Sequence, residues 1–373
     1  MWLNKLHAAQ ESVQPPQLLL HHARIRTMEN HPISFMRAWL AKFIVASLSL
    51  LSVASTSAQV VKSILEQDST LNNFVDPPGY QTTPPNTLGA VKKVGHGPKS
   101  MILIPGLGFG GDVFNNFMAS RESTYTMYAV TLAGFGGTPA PPSPDSSTSF
   151  GAQTWTNYAL TAIEGLIEKE RLNKIVVVGH WLTGPQIAIR LAQAHPDKVS
   201  AVIIIAGSPC FASADTTKLP THPALDKRAK FVDMGLAPRW FKTVTRETWD
   251  DNNFRPGDYA NNHILNLRLW RRAYEPPLHV WVRYLCEYHA QDITLEMGKL
   301  TTPILLVMPG LEGIQFDPGN NYMYNFCYPG WDNVIRENKN ISVDTVANAR
   351  VFVWEDQPHT LDSVVNEFLL RHQ

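Results

Sequence analysis

The stretch with the clearest chemical meaning is Lys174-Ile-Val-Val-Val-Gly-His-Trp-Leu-Thr-Gly184, where an apolar run breaks into glycine-bounded residues and then an amphipathic segment. Ile175 to Val178 are β-branched, as in a strand buried on both faces, and Gln186 to Ala194 carries apolar residues at helical spacing. The pattern predicts strand, tight turn, helix. Such a turn lifts one side chain above a sheet, and a serine placed there attacks a carbonyl once a histidine, oriented by an acid, has taken its proton. The apex here is Trp181. An indole only donates a hydrogen bond, so this chemistry cannot start at that position. Thr183 stands two residues on, where a glycine would permit close strand-helix packing, and Gly184 follows it.

The elements that must hold this turn are spread over a chain of 373 residues, enough for one large domain with an insertion or for two small ones. Lys plus Arg equals Asp plus Glu at 32 each, so no basic excess points to nucleic acid and no acidic tail is present. Residues 1–35 read as a non-structural extension, and residues 36–58 carry the three regions of a secretory signal peptide: Met36-Arg-Ala-Trp-Leu-Ala-Lys, an apolar stretch from Phe43, and Ser-Thr-Ser-Ala58. About a dozen apolar residues fall short of the ~20 that a spanning helix needs. The expectation is cleavage after Ala58, translation from Met28 or Met36, a secreted or periplasmic product, and no membrane span after cleavage. Cys210, Cys286 and Cys327 allow at most one internal disulfide, and none has a metal-binding spacing, so neither metal nor cofactor is expected.

Prolines at Asp76-Pro-Pro-Gly79 and Thr83-Pro-Pro-Asn86 make residues 59–90 an extended segment. Strands are predicted at Val91–Val94, Met101–Ile104, Thr126–Leu132, Val199–Ala206, Pro303–Met308 and Ile341–Val346, with helices at 153–171 and Ser363–Leu370. Asp112 reads as the cap of a short helix through Phe117. The Pro105-Gly-Leu-Gly-Phe-Gly-Gly111 turn lacks the spacing of a dinucleotide fingerprint. Residues 91–207 and 301–373 thus form an α/β core with a mostly parallel sheet flanked by helices. The aromatic-rich stretch 208–300 interrupts it as a helical cap, at the point where open sheets bind ligands.

In this order, the Pro105-Gly-Leu-Gly turn, Ala133-Gly-Phe-Gly-Gly-Thr, Gly179-His-Trp-Leu-Thr-Gly and His195-Pro-Asp-Lys-Val resemble the α/β-hydrolase superfamily over roughly residues 88–373. The resemblance implies an acid after the strand at Pro303–Met308, which falls on Glu312, with Asp317 as a less favoured stand-in. It implies a histidine seven residues before a proline. In Arg350-Val-Phe-Val-Trp-Glu-Asp-Gln-Pro358 that place is Val351, and His359 lies past the proline as a surface residue at a helix start. It also implies oxyanion donors at the backbone N–H groups of Leu107 and Leu182. Thr183 is one turn into the helix and faces packing, no histidine stands near Ser208 in sequence to activate it, and His180 occupies a place where relatives carry a structural histidine.

With nucleophile and base positions substituted, the leading expectation is a degenerate catalytic triad whose pocket, lined by Leu107, His180, Trp181, Leu182 and Val351, binds an apolar or aromatic small molecule. The alternatives are a working hydrolase of ester- or amide-type bonds with a non-standard nucleophile or base, and a protein-interaction module. Oligomeric state stays open.

Overall fold

A computed structural model describes residues 79–210, 225–243, 259–312, 327–328 and 330–372. The predicted extension and leader, residues 59–78, parts of the 208–300 insertion and Asp317 lie outside the described residues.

Seven strands form one sheet in the order β1-β3-β2-β4-β5-β6-β7. They are β1 (Ala90–Val94), β2 (Lys99–Ile104), β3 (Tyr125–Thr131), β4 (Ile175–His180), β5 (Val199–Ile205), β6 (Ile304–Pro309) and β7 (Ile341–Val346). Only β1 runs antiparallel, against β3 at the sheet edge. The other pairings are parallel, as expected of strands joined through helices. β4 and β6 are buried at every residue, which is why their sequences run apolar without alternating.

The helices are α1 (Asn115–Ala119), α2 (Thr154–Lys169), α3 (Thr183–Ala194), α4 (Leu225–Phe231), α5 (Ala237–Thr243), α6 (His263–Tyr274), α7 (Leu278–Ala290), α8 (Thr294–Met297), α9 (Trp331–Glu337), α10 (Val353–Asp356) and α11 (Pro358–His372). Helices α4 to α8 stand between β5 and β6. No helix among the described residues is long and apolar enough to cross a membrane.

Two local expectations change. Asp112 caps nothing: it lies inside a 3₁₀ turn at Gly111–Phe114 that precedes α1. Its two carboxylate oxygens instead accept from Arg272 Nη2, both at 2.6 Å. A cation from α6 thus outcompetes the local amides. The closing helix begins at Pro358, five residues before Ser363, because proline has its φ preset for a first helical turn. His359 is exposed there, as expected.

Helix α7 is the unusual element. All thirteen of its residues are buried, although they include His279, Arg283, Glu287 and His289. Glu287 explains how this is tolerated. Its Oε1 accepts from Trp155 N at 3.0 Å, and its Oε2 accepts from Thr156 N and Thr156 Oγ1, both at 2.8 Å. Gln153, the residue that would cap α2, is left-handed with φ 55° and makes no side-chain cap bond. The capping anion therefore comes from another helix, where it meets both the orphan amides and the positive end of the α2 dipole. Burial raises the Glu287 carboxyl, and Arg283 with the α2 amides opposes that shift. Gln153 Nε2 in turn donates to Glu287 O at 2.6 Å.

Glu287→Ala removes this buried anion while leaving the α2 amides buried, and should cost about 3–5 kcal/mol. Chemical denaturation at neutral pH measures this; a loss below about 1 kcal/mol would show that α2 does not depend on it.

Candidate functional site

The apolar run of β4 ends at His180, and α3 begins at Thr183. Between them Trp181 and Leu182 both take positive φ, 49° and 54°. Neither is a residue that adopts this region readily, so the turn is held by its surroundings. Those surroundings are glycines. A Cβ on Gly106 would lie 2.5 Å from Trp181 Cβ, one on Gly179 would lie 2.6 Å from Gly184 O, and one on Gly184 would lie 2.6 Å from Ile104 O. Gly184 supplies the close packing that Thr183 does not. Thr183 is itself buried, and its hydroxyl finds no hydrogen-bond partner.

Trp181 is 1% exposed. Its ring centroid lies 6.4 Å from Tyr259, which lies 5.7 Å from Phe109 and 6.1 Å from Phe352. Phe109 and Phe352 stand 5.0 Å apart, close to perpendicular. Leu107 and Leu182 are buried beside this cluster. Phe109 belongs to the glycine-rich turn after β2, Phe352 follows Val351, and Tyr259 comes from the inserted segment, held by Phe352 N donating to Tyr259 O at 2.9 Å.

His180 sits on the last residue of β4 with no exposure. Its Nε2 lies 3.2 Å from Val351 O, so the Nε2–H tautomer donates to that carbonyl, and Nδ1 has no partner. Phe352 and Trp354 rings stand 4.7 Å away, with Phe114 at 6.1 Å. Burial in this aromatic box pushes the imidazole down to about 3, only partly offset by the bond to Val351. The ring is neutral at physiological pH.

The structure thus gathers Leu107, His180, Trp181, Leu182 and Val351 at one end of the sheet. Glu312 is exposed, and its Oε2 accepts from Asn348 N at 2.8 Å, three residues before Val351. Ser208 is buried in a local turn, its hydroxyl donating to Cys210 O. Cys210, Cys286 and Cys327 are free and buried, and burial pushes each thiol up, Cys210 to about 12. No group of three or more His, Cys, Asp or Glu among the described residues could hold a metal. Sequence reasoning missed Tyr259, Phe109 and Phe352. The last two follow motif residues directly, but Tyr259 has no local pattern that marks it.

The His180 shift has a measurable sign. Its folded value lies below the ordinary 6.5, so the unfolded chain takes up the proton first. Stability is independent of this group above about pH 6.5 and falls as pH drops toward 3. His180→Phe should reduce the slope of unfolding free energy against pH between 6 and 4 by up to one proton, ~1.4 kcal/mol per pH unit. Equal slopes in parent and variant would contradict the buried neutral ring.

The sequence profile of the alpha/beta hydrolase family matches residues 101–361. Among curated proteins, a pimeloyl-(acyl-carrier protein) methyl ester esterase from Aeromonas hydrophila is 31% identical over 229 residues, 60% of this chain and 81% of that protein. The protein of the same description from Citrobacter koseri is 29% identical over 121 residues, 32% of this chain and only 41% of its own length. Among solved structures, an esterase from Exiguobacterium antarcticum matches with TM-score 0.54 at 13% identity, covering 77% of this chain and 99% of that one. A bromoperoxidase from Bacillus anthracis matches with TM-score 0.52 at 15% identity, covering 75% and 94%. At such identities the structural matches speak for the fold. The sheet order, the strand-turn-helix at Trp181 and the profile match over most of the chain agree, and the chain belongs to the alpha/beta hydrolase family.

Proposed function

We propose that this protein binds an apolar or aromatic small molecule on an α/β-hydrolase frame whose serine-histidine chemistry has been lost. The observation that carries the reading is Trp181, placed at the turn where the family's nucleophile stands and packed in an aromatic cluster with Phe109, Tyr259 and Phe352. In the histidine's place Val351 offers only its carbonyl, and that oxygen accepts from His180. His180 cannot substitute as a base, since its imidazole is buried and its lone pair faces no hydroxyl donor. The backbone N–H groups of Leu107 and Leu182 survive any side-chain change and would bind a carbonyl or carboxylate oxygen of the ligand. Glu312 is what remains of the acid. Residues 208–300 serve as the cap over this site, and the leader at 36–58 directs export.

A second reading has its own support. The Aeromonas hydrophila relative is described as an esterase and is 31% identical over 229 residues. On that reading the chain hydrolyses an ester through a nucleophile away from Trp181.

A panel of activated esters and a fluorophosphonate probe, which labels activated serines, separates the two. The parent should show neither turnover nor labelling, and Trp181→Ser combined with Val351→His should gain labelling. Aromatic ligands at 100 times Kd should raise the thermal midpoint by several degrees, equivalent to about 2.7 kcal/mol. Turnover by the parent that survives repurification would overturn the binding reading.

A further inference from the structure

We propose that the loops after β6 and β7 form a latch that holds the α6 segment closed over Trp181, and that Glu312 is its positioning residue, acting through Asn348 and Asn261. This goes beyond the ligand-binding reading and does not depend on it.

The two loops are zipped together. Gly310 N donates to Val346 O at 2.8 Å and Leu311 N to Ala349 O at 3.1 Å, and Glu312 adds the bond to Asn348 N at 2.8 Å. Leu311 and Asn348 both have positive φ, 58° and 53°, conformations that need such support. Asn348 then turns its carbonyl toward the insertion, where Asn261 Nδ2 donates to it at 2.5 Å. Asp356 grips the same residue from the other side: its Oδ1 accepts from Asn261 N at 2.8 Å while its Oδ2 accepts from Arg350 N at 2.7 Å. Asn261 is two residues from Tyr259, whose ring stands edge-on 6.4 Å from that of Trp181. The far end of α6 is tied separately by Arg272 to Asp112.

What this latch holds is built to move. Only Asn266, Leu269 and Ala273 of the twelve α6 residues are buried, whereas α7 is buried throughout. Leu265, Trp270 and Tyr274 pack against the core only in part, so α6 is less enclosed than α7 and opens at a lower local cost. The bonds of Asn261 and Glu312 are exposed, so breaking them leaves no buried group without a partner. Between the two helices lies Glu275-Pro-Pro277, which fixes where α6 can bend away from α7. Under α6, Gly108 allows the backbone to approach; a Cβ there would lie 2.8 Å from Ala273 O. Displacing α6 lifts Tyr259, at the cost of the bond from Phe352 N to Tyr259 O, and opens the aromatic cluster.

The acid of a hydrolase would act on a histidine. Here the corresponding carboxylate acts on the backbone of the loop where that histidine would stand, and the force it transmits ends on the cover of the site.

Hydrogen exchange read by mass spectrometry on the full chain tests this without any ligand. Glu312→Ala and Asn261→Ala should each speed exchange of the 259–274 amides about five- to tenfold, the effect of losing one hydrogen bond, with β4, α2 and α7 unchanged. Glu312→Gln keeps an acceptor and should restore the parental rate. Unchanged exchange at 259–274, equal acceleration throughout the core, or a Gln variant as fast as the Ala variant would each overturn the latch. Nile red provides a second arm, and its association should be faster in both Ala variants than in the parent. Exchange as expected with no Nile red binding in any variant would support the latch and count against the binding reading.

Discussion

The structure depends on one anion placed where a helix needs it. The first turn of α2 presents amides inside the protein, and no residue adjacent in sequence satisfies them. Glu287 does so from α7, and in doing so fixes α7 against the sheet layer. Once α7 is placed, other contacts follow from it. Tyr284 donates its hydroxyl to Ala133 O after β3, and Gln186 on α3 donates to Tyr288 O. The inserted helices are therefore bolted to the parallel core through polar groups at three of its elements. This lets a helix that carries His279, Arg283, Glu287 and His289 remain buried on all sides.

The turn after β4 is held by close packing around its apex. Two consecutive residues stay in the left-handed region although no attacking oxygen is presented. Gly184 packs on the main chain of β2, Gly179 packs on Gly184, and Gly106 makes room for the Cβ and ring of Trp181. The indole at the apex sits on a turn whose path is set largely by main-chain packing, and the aromatic rings of Phe109, Tyr259 and Phe352 fill the room around it.

Much of this was legible in the sequence because parallel strands buried on both faces read as unbroken apolar runs, and β4, β5 and β6 do so plainly. Trp181, His180 and Val351 could be located because each lies a fixed number of residues from a glycine or proline with a steric duty. What escaped were polar contacts between distant positions. Glu287 stands four residues after Arg283, a spacing that reads as a solvated surface pair, and nothing local reveals that its helix is enclosed. Asp112 has the residue type and place of a helix cap, yet its partner lies 160 residues away. Tyr259, Asn261 and Asp356 form no periodic pattern at all, because contacts between loops use single side chains where a core uses stripes.

The buried cysteines carry a consequence for how such a chain matures. A thiol attacks only as thiolate, and burial holds Cys210, Cys286 and Cys327 in the protonated form. The folded thiols are therefore inert toward an oxidant, while the unfolded chain carries three ordinary reactive thiols. Under oxidising conditions, disulfide formation would compete with folding until α7 docks and encloses Cys286. A wrong disulfide formed before then would be excluded from the native core, so the yield of native protein under such conditions would follow from the ratio of these two rates.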